Sequence, residues 1–274
     1  MYISLLRHAE SEENAVSVAR DAVDGYAAMK IYVKAALRDE TLDEQVLCGI
    51  WPSPDMIAVA KKVKHVIGSL LGERPVSKYE LSTAGIRQAH QIGQGLQSEL
   101  TELDVVFVSP YCRAMQTLAI VGEHCEAVRH ARHLSNKRLT EKYTGAIKKD
   151  YVSFFVLNPW ELVKAQQVGQ NYHYAYQPPE GESSQQVIER IRPFVQELLH
   201  NYAEQHVLIV AHQVVLLAIV AVLEHKTSQE AFHELDTKPN QFSVGGFSSF
   251  HVQDDRIQRT QSNRIFYETE VEDV

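Results

Sequence analysis

A chain of 274 residues with 45% hydrophobic and 23% charged residues, 13 glycines and 9 prolines has room for about two ordinary domains or one large α/β domain. That composition excludes a collagenous, low-complexity or disordered protein. The 35 acidic residues outnumber the 27 basic ones, for a formal net charge of −8. This balance repels nucleic acid and anionic membrane and leaves a small anionic substrate to be met by a local cluster. Cys48, Cys112 and Cys125 are odd in number and lack CxxC spacing, which points to reduced thiols in a cytoplasmic protein and not to a disulfide framework or zinc site. All three read as buried filler.

In chain order, residues 2–6 form a short apolar run that predicts a buried strand, with no basic segment before it of the kind a secretory leader carries. The acidic stretch Glu10 to Glu13 suits the first turn of a helix that runs on to residue 36. A second helix is expected over 55–71, opened by Ser53-Pro54 and closed by Gly72, with Met56, Val59, Val63, Val66 and Leu70 on one apolar face. Ser82 caps a third, whose buried side holds Ile86, Ala89, Ile92 and Leu96.

Residues 104–108 predict a fully buried strand, after which Ser109-Pro110 starts a helix carrying Arg113, Met115 and Leu118. Residues 127–134 form a weaker strand candidate, and the basic and histidine cluster from Arg129 to Arg138 reads as a solvated edge. Ser183 and Gln186 fit a capping box opening a helix to about residue 201. The longest apolar stretch, 207–223, is at the lower edge of membrane-spanning length and is interrupted by His212 and Gln213. It reads as a buried strand running into a buried helix. The acidic residues at the end of the chain read as a solvated terminus.

Continuously apolar strands alternating with amphipathic helices predict an α/β three-layer sandwich, a mostly parallel central sheet covered by helices on both faces. In such folds ligands bind at the carboxyl ends of the strands. No linker marks a boundary, so residues 1–274 read as a single domain, with a helical insertion within residues 15–80 near the mouth of the site. Three strand ends deliver polar residues to one rim: Arg7-His8, Ser109 to Arg113, and His212-Gln213. Guanidinium forks match phosphate oxygens and a neutral imidazole is a nucleophile near physiological pH. A phosphate site of this kind requires no metal or cofactor.

Six segments in order then resemble the histidine phosphatase superfamily, in its phosphoglycerate-mutase-like branch. They are Leu6-Arg7-His8-Ala9-Glu10-Ser11-Glu12-Glu13-Asn14, Leu81-Ser82-Thr83-Ala84-Gly85, Ser109-Pro110-Tyr111-Cys112-Arg113-Ala114-Met115-Gln116-Thr117, Leu139-Thr140-Glu141 with Gly145, Pro179-Glu180-Gly181-Glu182-Ser183, and Ala211-His212. The resemblance implies that His8 attacks phosphorus and becomes a phosphohistidine. It also implies that Arg7, Arg113 and His212 hold the phosphoryl oxygens, that Asn14 and the backbone near Gln213 assist, and that Glu141 protonates the leaving alcohol.

Two positions depart from the family pattern: Ala9 follows the histidine where glycine is usual, and Gln213 follows His212. The His212-Gln213 pair resembles the fructose-2,6-bisphosphatase group. Where a glycolytic mutase carries paired arginines for a carboxylate, this chain reads Lys148-Lys149-Asp150-Tyr151, which favours a phosphomonoesterase acting on a small phosphorylated metabolite. A mutase is the alternative, and a catalytically idle interaction module of the same fold is the third reading. A monomer and a homodimer are both compatible with the sequence.

Overall fold

The computed structural model describes residues 1–147, 150–169, 172–226, 242–253 and 256–268. The chain divides into two compact units, one comprising residues 1–12, 75–141 and 187–274, the other 13–74 and 142–186.

The first unit holds a six-stranded sheet of β1 (Tyr2–Arg7), β2 (Val105–Val108), β3 (Arg132–Ser135), β4 (His206–Ala211), β5 (Phe247–Gln253) and β6 (Arg256–Arg264), in the order β3-β2-β4-β1-β5-β6. The first four are mutually parallel, while β5 and β6 run antiparallel to their neighbours. Both faces of β2, β4 and β1 are covered, which is why these strands carry uninterrupted apolar runs. Leu6, Val106, Val108, Leu208 and Val210 face α5 (Thr83–Glu99) and α6 (Cys112–His124). On the other face Phe107 meets Phe194 and Tyr202, each at a ring separation of 5.3 Å, at α11 (Ser184–Asn201) and the turn after it.

Because β1 to β4 are parallel, their carboxyl ends share one edge. The order β2-β4-β1 places the ends at Val108, Ala211 and Arg7 side by side. From that edge α12 (Gln213–Leu223) leaves directly after β4.

The second unit is helical: α1 (Glu12–Asp21), α2 (Tyr26–Ala36), α3 (Leu42–Leu47), α4 (Pro54–Leu71), α8 (Tyr151–Leu157), α9 (Pro159–Gln167) and α10 (Tyr172–Ala175). Its core joins Met29 and Val33 of α2 and Val63 of α4 to Val152 and Phe155 of α8. A buried hydrogen bond of 2.7 Å from the Tyr26 hydroxyl to Asp150 links α2 to the cap of α8. The helical pattern expected within 15–80 is therefore packed together with a segment more than 60 residues downstream.

Several expectations change. The helix expected to reach residue 36 is broken into α1 and α2 at Gly25, whose φ of +81° is costly for a residue with a Cβ. On α4 the buried face holds Ala60, Val63 and Leu71, so Leu70 is exposed. On α5 Gly85 is buried and Ile86 is exposed, and on α6 Met115 is exposed. Residues 126–130 form helix α7 (Glu126–His130), not strand, because β2 begins opposite Arg132 and leaves nothing upstream to pair with. Arg132 and His133 do lie on an exposed edge strand. Cys48 is exposed and Cys112 half-buried, leaving Cys125 alone as a buried thiol. The capping box holds: Gln186 N–H donates to Ser183 Oγ at 3.2 Å, and Ser183 N–H donates to Gln186 Oε1 at 2.8 Å. Lys148 and Lys149, and residues 269–274 of the acidic tail, fall outside the described residues.

Candidate active site

The loop leaving β1 is fixed on three sides. His8 N–H donates to the Ala211 carbonyl at 3.1 Å, its own carbonyl accepts from Gly245 N–H at 3.1 Å, and Arg7 N–H donates to Gly246 at 3.0 Å. Ala9 N–H donates to Thr117 Oγ1 at 3.1 Å, and that hydroxyl donates to the Arg113 carbonyl at 2.7 Å. Thr117 thus ties the His8 loop to the first turn of α6. Below the loop α5 approaches so closely that a Cβ at Gly85 would lie 1.8 Å from the Glu10 carbonyl oxygen, and only glycine fits there. Ser82 does more than cap α5: its hydroxyl also donates to the Glu10 carboxylate at 2.6 Å.

This scaffold determines the chemistry of His8. Its Nδ1 lies 2.7 Å from the Ala9 carbonyl, which can only accept, so Nδ1 carries the ring proton. Its Nε2 lies 3.2 Å from Arg113 Nε, which can only donate, so Nε2 presents a lone pair. Both contacts select the same tautomer. Burial, then the positive charges of Arg113 and Arg7, hold the His8 pKa well below its usual value, so the ring is neutral at physiological pH.

His212 is fully buried, with its ring 5.0 Å from that of His8 and its Nε2 2.8 Å from Ser109 Oγ. Its Nδ1 has no hydrogen-bond partner among the described residues. Burial and the charges of Arg113, Arg7 and Arg190 depress its pKa as well. The guanidinium groups are held by main-chain carbonyls, Arg7 by Phe242 at 2.7 Å and Arg113 by Val76 at 3.0 Å. The Tyr111 ring lies 5.1 Å from the Arg113 guanidinium and 5.2 Å from the His212 ring.

The structure therefore brings Arg7, His8, Arg113 and His212 together at the ends of β1, β2 and β4, as the strand-end reasoning requires. Gln213 opens α12 directly after His212, where free backbone N–H groups attract anions. Glu141 follows the short turn Lys137–Leu139 beyond the carboxyl end of β3. Arg190 of α11 donates to the carbonyls of Arg138 and Thr140, the latter at 2.7 Å, immediately before it. Asn14 lies on α1 in the second unit, where it lines a cavity of about 100 Å³ with Glu13, Ser17 and Arg20. Residues that sequence reasoning gave no role are Thr117 and Arg190, together with the loop from Phe242 to Gly246, while Ser109, read as a rim residue and helix start, also meets His212. Thr117 sits inside a quoted motif, but the 242–246 loop has no periodic or motif signal that could announce it.

Two neutral buried imidazoles and two anchored guanidinium groups on the carboxyl edge of a parallel sheet define an α/β protein with an anion-receptive rim. The chain belongs to the histidine phosphatase superfamily (branch 1), whose sequence profile matches residues 75–258. The match begins after Arg7-His8, which the pairing of β1 with β4 brings to the matched region. Over 155 residues the chain is 29% identical to a phosphoglycerate mutase of Schizosaccharomyces pombe, covering 55% of this chain and 70% of that one. Over 151 residues it is 28% identical to a 6-phosphofructo-2-kinase/fructose-2,6-bisphosphatase of Aquarana catesbeiana, covering 55% of this chain and 29% of the relative.

Among solved structures, the alpha-ribazole phosphatase of Shigella flexneri superposes with a TM-score of 0.63 at 18% identity over 96% of each chain. A phosphoserine phosphatase of Entamoeba histolytica gives 0.58 at 15% identity, again over 96% of each. These likenesses show a shared fold. No helix among the described residues is long and apolar enough to cross a membrane.

Proposed function

We propose that this protein is a metal-independent phosphomonoester hydrolase that works through a phosphohistidine at His8 on a small phosphorylated metabolite. The observation that carries the reading is the state of His8: a buried neutral imidazole whose proton is held on Nδ1 and whose Nε2 lone pair faces Arg113.

In the first step the Nε2 lone pair forms a bond to phosphorus while the bond from phosphorus to the ester oxygen breaks. Glu141, entering as the acid, protonates the leaving alcohol. Arg7, Arg113 and His212, with the backbone at Gln213, hold the equatorial oxygens, the positions where charge is spread in phosphoryl transfer. In the second step water attacks phosphorus, its proton passes to Glu141, the bond to Nε2 breaks, and inorganic phosphate leaves. The Ala9 carbonyl keeps the Nδ1 proton in place throughout, so His8 regains the same tautomer.

The test is phosphate release from p-nitrophenyl phosphate, sugar phosphates and phosphoglycerates with EDTA present and His8→Ala as control. Release by the native chain and loss in the variant are expected. Release abolished by EDTA, or release that survives His8→Ala, would overturn the reading. The similarity to phosphoglycerate mutases supports a second reading, in which the phosphoryl group returns to a sugar acid. Isomerised phosphoglycerate that appears only with a bisphosphate primer, without net phosphate release, would favour it.

A further inference from the structure

A second pair of histidines sits away from the rim, where α5 packs on α6. His90 Nδ1 lies 2.8 Å from His124 Nε2, with ring centroids 5.0 Å apart. The carboxylate of Glu123 reaches to 3.9 Å from His90 Nδ1. One donor atom from each of the three residues falls within 4.8 Å of the other two. Both histidines are half-buried and Glu123 is exposed, so the group borders solvent and an ion can enter.

The helices are held close here by Gly93, one turn after His90. A Cβ at that position would meet the Val121 carbonyl oxygen at 2.9 Å and His124 Cβ at 3.0 Å. This close approach is what brings the two imidazoles edge to face, their planes 74° apart, from different helices. Nearby, Arg129 donates to the carbonyls of Gly122 and Glu123 at 2.9 and 2.5 Å, which engages its guanidinium with the main chain.

Two imidazole nitrogens cannot stand 2.8 Å apart unless one carries a proton toward the other. In this state one ring donates and the other accepts. If the donor ring moves its proton to its outer nitrogen, both facing nitrogens present neutral lone pairs, and the Glu123 carboxylate supplies a third ligand, the one that carries negative charge. Zinc bonds to imidazole nitrogen at about 2.0–2.1 Å and to carboxylate oxygen at about 2.0–2.2 Å, so the pair needs to open only slightly. Two nitrogens and one oxygen suit a borderline divalent ion of the zinc, copper or nickel type better than magnesium or calcium.

We propose that His90, His124 and Glu123 form a binding site for Zn²⁺ that joins α5 to α6, with a fourth position open to water or an external ligand. The ion would staple the two helices that carry Gly85 and Thr117, and so brace the loop of His8 without taking part in phosphoryl transfer.

The experiment uses the full, untagged chain freed of metal with EDTA, which is then removed. ZnCl₂ is titrated calorimetrically into the native protein and into His90→Gln, His124→Gln, Glu123→Gln and His8→Ala, with circular dichroism confirming that each variant is folded. One stoichiometric site is expected, at least tenfold weaker in each of the two His→Gln variants and unchanged in His8→Ala. At free zinc a hundred times the dissociation constant, the melting temperature should rise by about 5 °C or more in the native chain and not in His124→Gln. Absence of a stoichiometric site, binding that survives both His90→Gln and His124→Gln, or binding lost in His8→Ala would overturn the proposal. Should either His→Gln variant misfold, Glu123→Gln and the Co²⁺ absorption spectrum of the native chain decide: weaker binding and a ligand-field band sustain the site, and absence of both removes it.

Discussion

Among the described residues, His8 with His212 and His90 with His124 form two edge-to-face histidine pairs, and in both the ring centroids are 5.0 Å apart. His8 and His212 are 3% and 0% exposed at the carboxyl edge of the sheet, where burial and then the surrounding arginine charge keep them neutral. His90 and His124 lie between two helices at the border of solvent, beside a carboxylate. Equal spacing therefore does not mean equal chemistry. Desolvation plus positive neighbours makes an imidazole a nucleophile for an anionic centre, whereas partial exposure plus a negative neighbour makes it a ligand for a cation.

The sharpest way to test that contrast is to remove one member of each pair. His8→Ala should lower turnover by roughly 10⁴-fold or more, since the group that forms the covalent intermediate is gone. His90→Gln should leave turnover within about twofold of native, and an equal loss in both would end the distinction between the pairs. Steady-state phosphate release on one substrate measures both.

Glu141→Gln should reduce turnover of alkyl phosphates by roughly 10²- to 10⁴-fold while sparing p-nitrophenyl phosphate, whose leaving group needs little protonation. Equal losses on the two substrates would take Glu141 out of the acid role. Arg113→Lys keeps the charge but loses the fork, and should cost about 10²- to 10³-fold in kcat/KM. A loss under threefold would show that geometry at this position matters little.

Smaller effects probe the scaffold under the rim. Gly85→Ala should destabilise the chain by about 3 kcal/mol, because its Cβ meets backbone and not a yielding side chain. Thr117→Val should cost about 1–3 kcal/mol by leaving the Ala9 N–H buried without its acceptor. Urea midpoints read both.

The pH dependence has a definite sign. The unfolded chain binds protons on His8 and His212 from about pH 6.5 downward, whereas the folded chain resists until well below that value. The stability contribution of the neutral pair is therefore full above about pH 6.5 and is lost as pH falls toward the depressed folded values. Urea unfolding should show a shallower loss between pH 7.5 and 5.5 in His8→Ala than in the native chain. The His8 pKa lies well below its ordinary value in the folded protein, so kcat/KM should not show an acid limb at the ordinary imidazole pKa.

Legibility of the sequence followed the locality of the physics. The capping boxes and apolar runs that made α4, α5, α11, β2 and β4 readable act within a few residues, and these elements stand where expected. The faces of α4 and α5 hold at Val63, Ala89, Ile92 and Leu96 and depart from the periodic reading only at one end of each helix, where Leu71 and Gly85 are buried and Leu70 and Ile86 are exposed. The hairpin of β5 and β6 went unread: β6 alternates half-buried with exposed positions and carries scarcely any apolar residues. Nor did the sequence show that 142–186 packs with the helices of 13–74.

By itself the sequence determined that the chain folds as an α/β protein and that Arg7, His8, Arg113 and His212 stand at strand ends, because buried strands and their boundaries are written in local composition. Only the tertiary structure decided the tautomer of His8, the anchoring of its loop by Thr117 and Gly245, and the meeting of His90 with His124. Each of these depends on groups far apart in the chain being held within hydrogen-bonding distance, and no local pattern encodes a contact whose partner lies on another element.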